Sequence, residues 1–245
     1  MRKVLYYELR RVLCSWLFLA MFAVNGVYAW YVLVTDIIRG TTYTAPFSIW
    51  SYCAYTAKMM PAVVIAMLLL LSGYYGKKQK QAEVLISAAP VSAAQHLLVR
   101  SMVLCVCFML LYAADAAMAL FFYSRFFGYY QYLGFFLPAL FILLPCFLAA
   151  AGAGHLLARL HQGLAFLLAG LLAAAWLSET GHVWELFGTG YFQAFPQTLA
   201  PGPDGEPGFF MQPEWLAARA AYALLGAVLL WLGIRNAVQG PERLP

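Results

Sequence analysis

Long apolar runs separated by short polar breaks dominate the chain, and their lengths set the fold class before any single residue is weighed. A helix of about 20 apolar residues crosses roughly 30 Å of hydrocarbon. Six runs approach that length: 13–34, 55–75, 97–122, 132–154, 163–177 and 216–234. The fifth is short, so it must borrow the flank holding Arg159 and His161 or end below the outer surface. Ahead of the first run, Leu5, Leu9, Val12 and Trp16 fall on one helical face while Lys3, Arg10 and Arg11 face away. That spacing predicts an interfacial helix leading into the first span. Pro61, Pro138 and Pro145 lie inside runs and predict local kinks, tolerable where neighbouring groups compensate the lost hydrogen bonds.

The breaks carry the remaining pattern. Between the second and third runs, Lys77, Lys78 and Lys80 stop the apolar segment, Glu83 to Ile86 can form a short amphipathic turn, and Pro90 ends it. Ser92 and Gln95 have the S-x-x-Q spacing of a capping box and start the next helix. The turn between the third and fourth runs is dense in aromatic residues, which suits an interfacial belt or a contact with lipid or a hydrophobic substrate. The long break 178–214 is proline- and glycine-rich within its APGPDGEPG stretch, and the aromatic segment before it predicts a short helix at, or dipping into, the outer interface. The whole reads as an all-α polytopic membrane protein, one transmembrane domain over residues 1–245.

Composition agrees, with 64% hydrophobic residues, 10% charged and a mean hydropathy of +0.76. A net charge of +5 invites a nucleic-acid reading, but the basic residues sit at the ends of apolar runs, where they orient helices, so no nucleic-acid partner is expected. With the N-terminus inside, the inner side collects eleven of the fifteen: Arg2, Lys3, Arg10, Arg11, Lys77, Lys78, Lys80, Arg100, Arg159, Arg235 and Arg243. Both termini are therefore expected in the cytoplasm. Arg39, Lys58, Arg125 and Arg219 remain outside, Lys58 snorkelling to the headgroups. The five cysteines lie in or beside apolar runs and suggest buried small residues, not a disulfide framework or a metal site.

The charged stop, short helix, Pro-Val-Ser break and new span, carried by Glu83, Leu85, Ser87, Pro90, Val91 and Ser92, resemble the first cytoplasmic loop of type-2 ABC permeases, membrane subunits of bacterial exporters. The six-run topology, the basic N-terminal helix and the long outer loop before the last run extend the resemblance over the whole chain. The resemblance implies a coupling helix at Glu83, Val84, Leu85, Ile86 and Ser87 that docks on a separate cytosolic ATPase. It also implies ATP and Mg on that partner with no cofactor in this chain, a second permease copy or related permease, contact with membrane lipid, and a bacterial cytoplasmic membrane. Export of a hydrophobic or amphipathic substrate by alternating access would follow. A substrate-binding membrane component of an importer, a membrane scaffold or a membrane-embedded enzyme are the alternatives.

No catalytic set stands out. Gly73 to Lys78 fails the phosphate-loop spacing, with Lys78 where Ser or Thr should hold magnesium, and neither G-x-S-x-G nor H-E-x-x-H occurs. Glu179, His182 and Glu185, three apart, could form a metal-ligand row but equally the polar stripe of an interfacial helix. Thr180-Gly181-His182 lacks the arginine-rich companion a lipid phosphatase would need. Asp115 is the one carboxylate inside a run. It costs on the order of 2.5–3.5 kcal/mol at the centre of a lone helix, so it should face protein or water. Either it makes a structural hydrogen bond to a neighbouring helix, or it lines a translocation route or subunit interface. Arg100, at the start of the same run, is expected to meet lipid phosphate or the coupling loop.

Overall fold

A computed structural model describes residues 2–41, 44–76, 93–177, 184–203 and 205–239. The predicted coupling residues Glu83 to Ser87, the Pro90 break and Ser92 lie outside them, as do Glu179 and His182. The described residues form helices and connecting turns without strands: α1 Arg2–Leu13, α2 Trp16–Thr35, α3 Ile49–Gly73, α4 Ala93–Phe127, α5 Leu133–Leu160, α6 Gln162–Leu177, α7 Thr189–Ala194 and α8 Pro213–Gln239. Five of them, α2, α3, α4, α5 and α8, are long and apolar enough to cross a membrane, and the chain is a multi-pass membrane protein.

Local chemistry explains where the helices begin. Ser15 separates α1 from α2: its hydroxyl donates to Val12 O at 2.6 Å, finishing one helix, and accepts from Phe18 N at 3.2 Å, capping the next. Ser48 caps α3 in the same way, accepting from Ser51 N at 3.1 Å. Pro61, Pro138 and Pro145 all sit within continuous helix.

The bundle is built around α3. Its apolar span is 78% buried, against 28% for α2 and 22% for α8, and it packs on α2, α4, α5, α6 and α7. The lipid-like periphery falls to α2 and α8, whose exposed faces carry Leu17, Phe22, Val24, Leu224, Val228 and other large apolar side chains. α5 and α8 approach each other closely, and glycine makes it so. A Cβ at Gly226 would stand 2.2 Å from the carbonyl carbon of Leu148, and one at Gly152 only 2.4 Å from Gly226 O. Backbone therefore lies on backbone, the packing mode by which small residues hold helices together where the hydrophobic effect is absent.

The expectation of six spans is not met by length. α6 has 16 residues, about 24 Å of helix, short of the hydrocarbon thickness. It does not borrow the preceding flank, because α5 ends at Leu160 and His161 is extended at φ −157° and ψ 132°. His161 Nδ1 accepts from Gly163 N at 3.0 Å, at the start of α6. Arg159 belongs to α5 and donates to Gly233 O at 3.3 Å and Asn236 O at 3.0 Å, satisfying carbonyls near the end of α8.

The segment 184–212 folds over the N-terminal end of α3. Trp50 meets the rings of Phe192, Phe195 and Phe209, with its centroid 4.7 Å from that of Phe209. Its indole N–H donates to Pro207 O at 3.1 Å, while Glu206 Oε1 accepts from Ala45 N at 2.8 Å. In α7, Thr189 to Phe192 are all buried. The aromatic turn after α4 is likewise half inward. Tyr129 stacks on Phe47 at 5.1 Å and lies 5.8 Å from Phe135, leaving Phe121, Phe126 and Tyr130 exposed as a belt would be.

Candidate functional site

Two helix faces with matching polar spacing meet inside the bundle. On α3, Tyr52, Tyr55 and Thr56 are three and four residues apart. On α4, Tyr112 and Asp115 are three apart, so each set lies along one side of its helix. Where the two sides face, the Tyr52 and Tyr112 hydroxyls share a hydrogen bond of 2.9 Å with the Thr56 hydroxyl beside them. Tyr55 donates to the Asp115 carbonyl oxygen at 2.9 Å. From α2, Asn25 Nδ2 donates to Asp115 Oδ1 at 2.6 Å. Asp115 is 1% exposed and Asn25 5%, which settles that the carboxylate faces protein, as its cost in hydrocarbon requires.

The seam is only partly satisfied. Asp115 Oδ2, Asn25 Oδ1 and Tyr123 OH are buried without a hydrogen-bond partner among the described residues. Leaving one such group unpaired costs about 1–3 kcal/mol, more for a charged group. Two acceptor oxygens and the Tyr123 hydroxyl are thus left able to receive or give further hydrogen bonds within the seam.

Two further polar knots brace the bundle. Arg219, 1% exposed, donates through its two terminal nitrogens to the carbonyls of Leu186 and Glu185 and lies over the Trp215 ring at 4.5 Å. Glu185 spends its carboxylate on the start of α7, accepting from Gly190 N at 2.9 Å and from the Thr189 hydroxyl. It thus serves as a helix cap, with its proposed metal-row companions outside the described residues. Nearer the other end, His155 bridges Tyr75 OH at 3.0 Å and Ser101 Oγ at 3.1 Å, joining the ends of α3, α4 and α5.

Asp115, the one residue expected either to make a structural bond or to line a route or subunit interface, lies in this seam. The sequence reading overlooked Asn25, Tyr52, Tyr55, Thr56 and Tyr112, because a tyrosine in an apolar run counts as apolar. The i, i+3, i+4 repeat of hydroxyls on α3 was the available signal. Lys58, expected to snorkel to the headgroups, pairs with Asp36 at 2.7 Å. Arg100 is buried, its guanidinium over the Tyr74 ring at 5.5 Å with that of Arg11 at 5.6 Å, so α1 and α4 meet at the end of α3. Burial pushes the Tyr74 phenol well above its ordinary value, and the neighbouring Glu8 adds to the shift. Comparison with known proteins returns no matching family model, no matching curated protein and no matching solved structure.

Proposed function

We propose that this chain is the membrane-spanning permease subunit of an ATP-driven exporter, moving a hydrophobic or amphipathic substrate while a separate cytosolic ATPase hydrolyses ATP. The carrying observation is the partly satisfied seam at Asp115. Groups that are costly in a membrane are kept between helices, where a moving substrate could use them. The seam joins three helices, α2, α3 and α4, so shifts of α2 or α4 against the buried α3 would open or close it. The polar segment between α3 and α4, with the short apolar stretch Val84 to Ile86, is the docking element of this reading, and a second permease copy completes the transporter. On this reading the termini face the cytoplasm of a bacterial cell.

The test is co-purification from a native membrane. A stoichiometric ATPase whose hydrolysis rises with substrate supports the reading, and Asp115→Leu should lower that stimulation. A chain that isolates without any ATPase, or one whose partner works in uptake, overturns it.

A further inference from the structure

Where α2 ends, a polar cleft of about 360 Å³ opens between the Ile37–Arg39 turn, α3 and the segment carrying Gln193 and Gln197. Its charged lining is Asp36, Arg39 and Lys58, an excess of one positive charge. Lys58 gives one N–H to Asp36 Oδ2 at 2.7 Å, leaving two donors on its ammonium. Arg39 is exposed and makes no ion pair among the described residues, so its planar fork of donors is available to the cleft.

The cleft is open to the surface, and its walls are held by the fold. Gly40 has φ +74°, and a Cβ there would stand 2.2 Å from Thr44 O, so the turn beside Arg39 requires glycine. Behind it, buried hydroxyls tie the loop to the first turn of α3. Thr44 Oγ1 donates to Thr41 O at 2.5 Å, Thr41 N to Ser51 Oγ at 3.2 Å, and Ser51 Oγ to Ala45 O at 2.7 Å. The Lys58 stem is largely covered, with its side chain 17% exposed, which fixes its ammonium in the wall. On the adjoining surface of α2 and the turn, Tyr31, Val34 and Ile38 present exposed apolar side chains.

We propose that this cleft binds an oxyanion, a phosphate or carboxylate, through Arg39 and Lys58, with the apolar rim accepting the tail when the anion is the head of an amphipathic molecule. The two lysine donors and the arginine fork supply charge-assisted hydrogen bonds. Asp36 orients the ammonium and weakens the field that the anion feels.

The experiment uses the full chain in nanodiscs of neutral lipid, with dodecyl phosphate as the titrated probe and inorganic phosphate as competitor. Arg39→Glu should weaken dodecyl phosphate binding by about tenfold or more, because a fork of donors becomes a like charge. Asp36→Asn should tighten it, by roughly threefold, because an opposing charge is removed. A misfolded variant cannot produce the second result. Displacement by inorganic phosphate at comparable concentration identifies the free anion as sufficient, and displacement only by other alkyl phosphates identifies an amphipathic head group. Undetectable binding to the unsubstituted chain, or binding that neither substitution changes, would overturn the proposal. The measurement involves no ATPase, so its failure leaves the exporter reading standing, and failure of that reading leaves the cleft.

Discussion

Asp115 and Asn25 show what a sequence reveals of a buried polar residue and what it hides. A carboxylate in an apolar run announces itself by its cost, so Asp115 was legible. Its partners were not, because an amide or hydroxyl in an apolar run becomes a partner only when helix packing brings a second polar group within hydrogen-bond reach, as for Asn25 and Tyr55. The pair makes a specific prediction. Asn25→Leu removes the donor and leaves both Asp115 oxygens without side-chain partners, which should cost about 1–3 kcal/mol, read as a lower unfolding midpoint in detergent. Asn25→Leu combined with Asp115→Leu should recover part of that loss, with a coupling of about 1 kcal/mol, within the range of interhelical hydrogen bonds in membranes. Additive losses would mean that the two side chains do not interact. Asp115→Leu alone then separates the remaining roles. A folded variant with reduced substrate-stimulated ATP hydrolysis points to a route, whereas failed assembly points to a structural bond.

Helices were legible as elements because apolar length is a one-dimensional property, yet their ends and contacts depended on chemistry beyond hydropathy. The second run reads from residue 55, but α3 starts at Ile49, because the polar residues Ser48 and Ser51 form its cap and Trp50 packs under the loop segment carrying Pro207 and Phe209. Likewise Arg219 reads as an outer cation, although the fold turns it inward onto two loop carbonyls. Nothing in the periodicity marks the α5–α8 crossing, since one glycine in an apolar run resembles another. Gly226 and Gly170 provide the contrast. Gly226→Ala places a methyl 2.2 Å from Leu148 backbone and should lose about 1–3 kcal/mol through forced separation of the helices, seen as a lower thermal midpoint. Gly170→Ala meets nothing within 4 Å and should be neutral or slightly stabilising. Equal midpoints for the two variants would show that the crossing tolerates separation.

At the scale of the molecule, orientation and partnership rest on arguments that geometry alone does not supply. The distribution of lysine and arginine predicts residue 81 inside and residue 208 outside. With the native cysteines replaced, Gly208→Cys should react with an impermeant thiol reagent in intact cells and Gln81→Cys should not. Gly208 is exposed and free of neighbours for a Cβ, whereas the nearby Gly202 would press a Cβ to 2.7 Å from Glu206 O. Labelling at residue 81 would reverse the orientation and remove the proposed docking segment from the compartment of a cytosolic ATPase. On the proposed exporter reading, and if the orientation holds, conformational work would enter from the cytoplasm through a surface contact with the separate ATPase. The polar segment between α3 and α4 joins the buried axis of the bundle to a helix of the Asp115 seam, so force applied there would act on both. Val84, Leu85 and Ile86 offer an apolar face for a groove, and Glu83 offers a charge whose truncation in a desolvated contact costs about 2–5 kcal/mol. Leu85→Asp should release the ATPase, or leave it bound and hydrolysing without transport, while the protein still inserts and keeps its thermal midpoint. Full ATPase retention with full transport would assign the segment to the lipid surface, where Lys77, Lys78 and Lys80 meet anionic headgroups, and would move the point of coupling elsewhere on the cytoplasmic face.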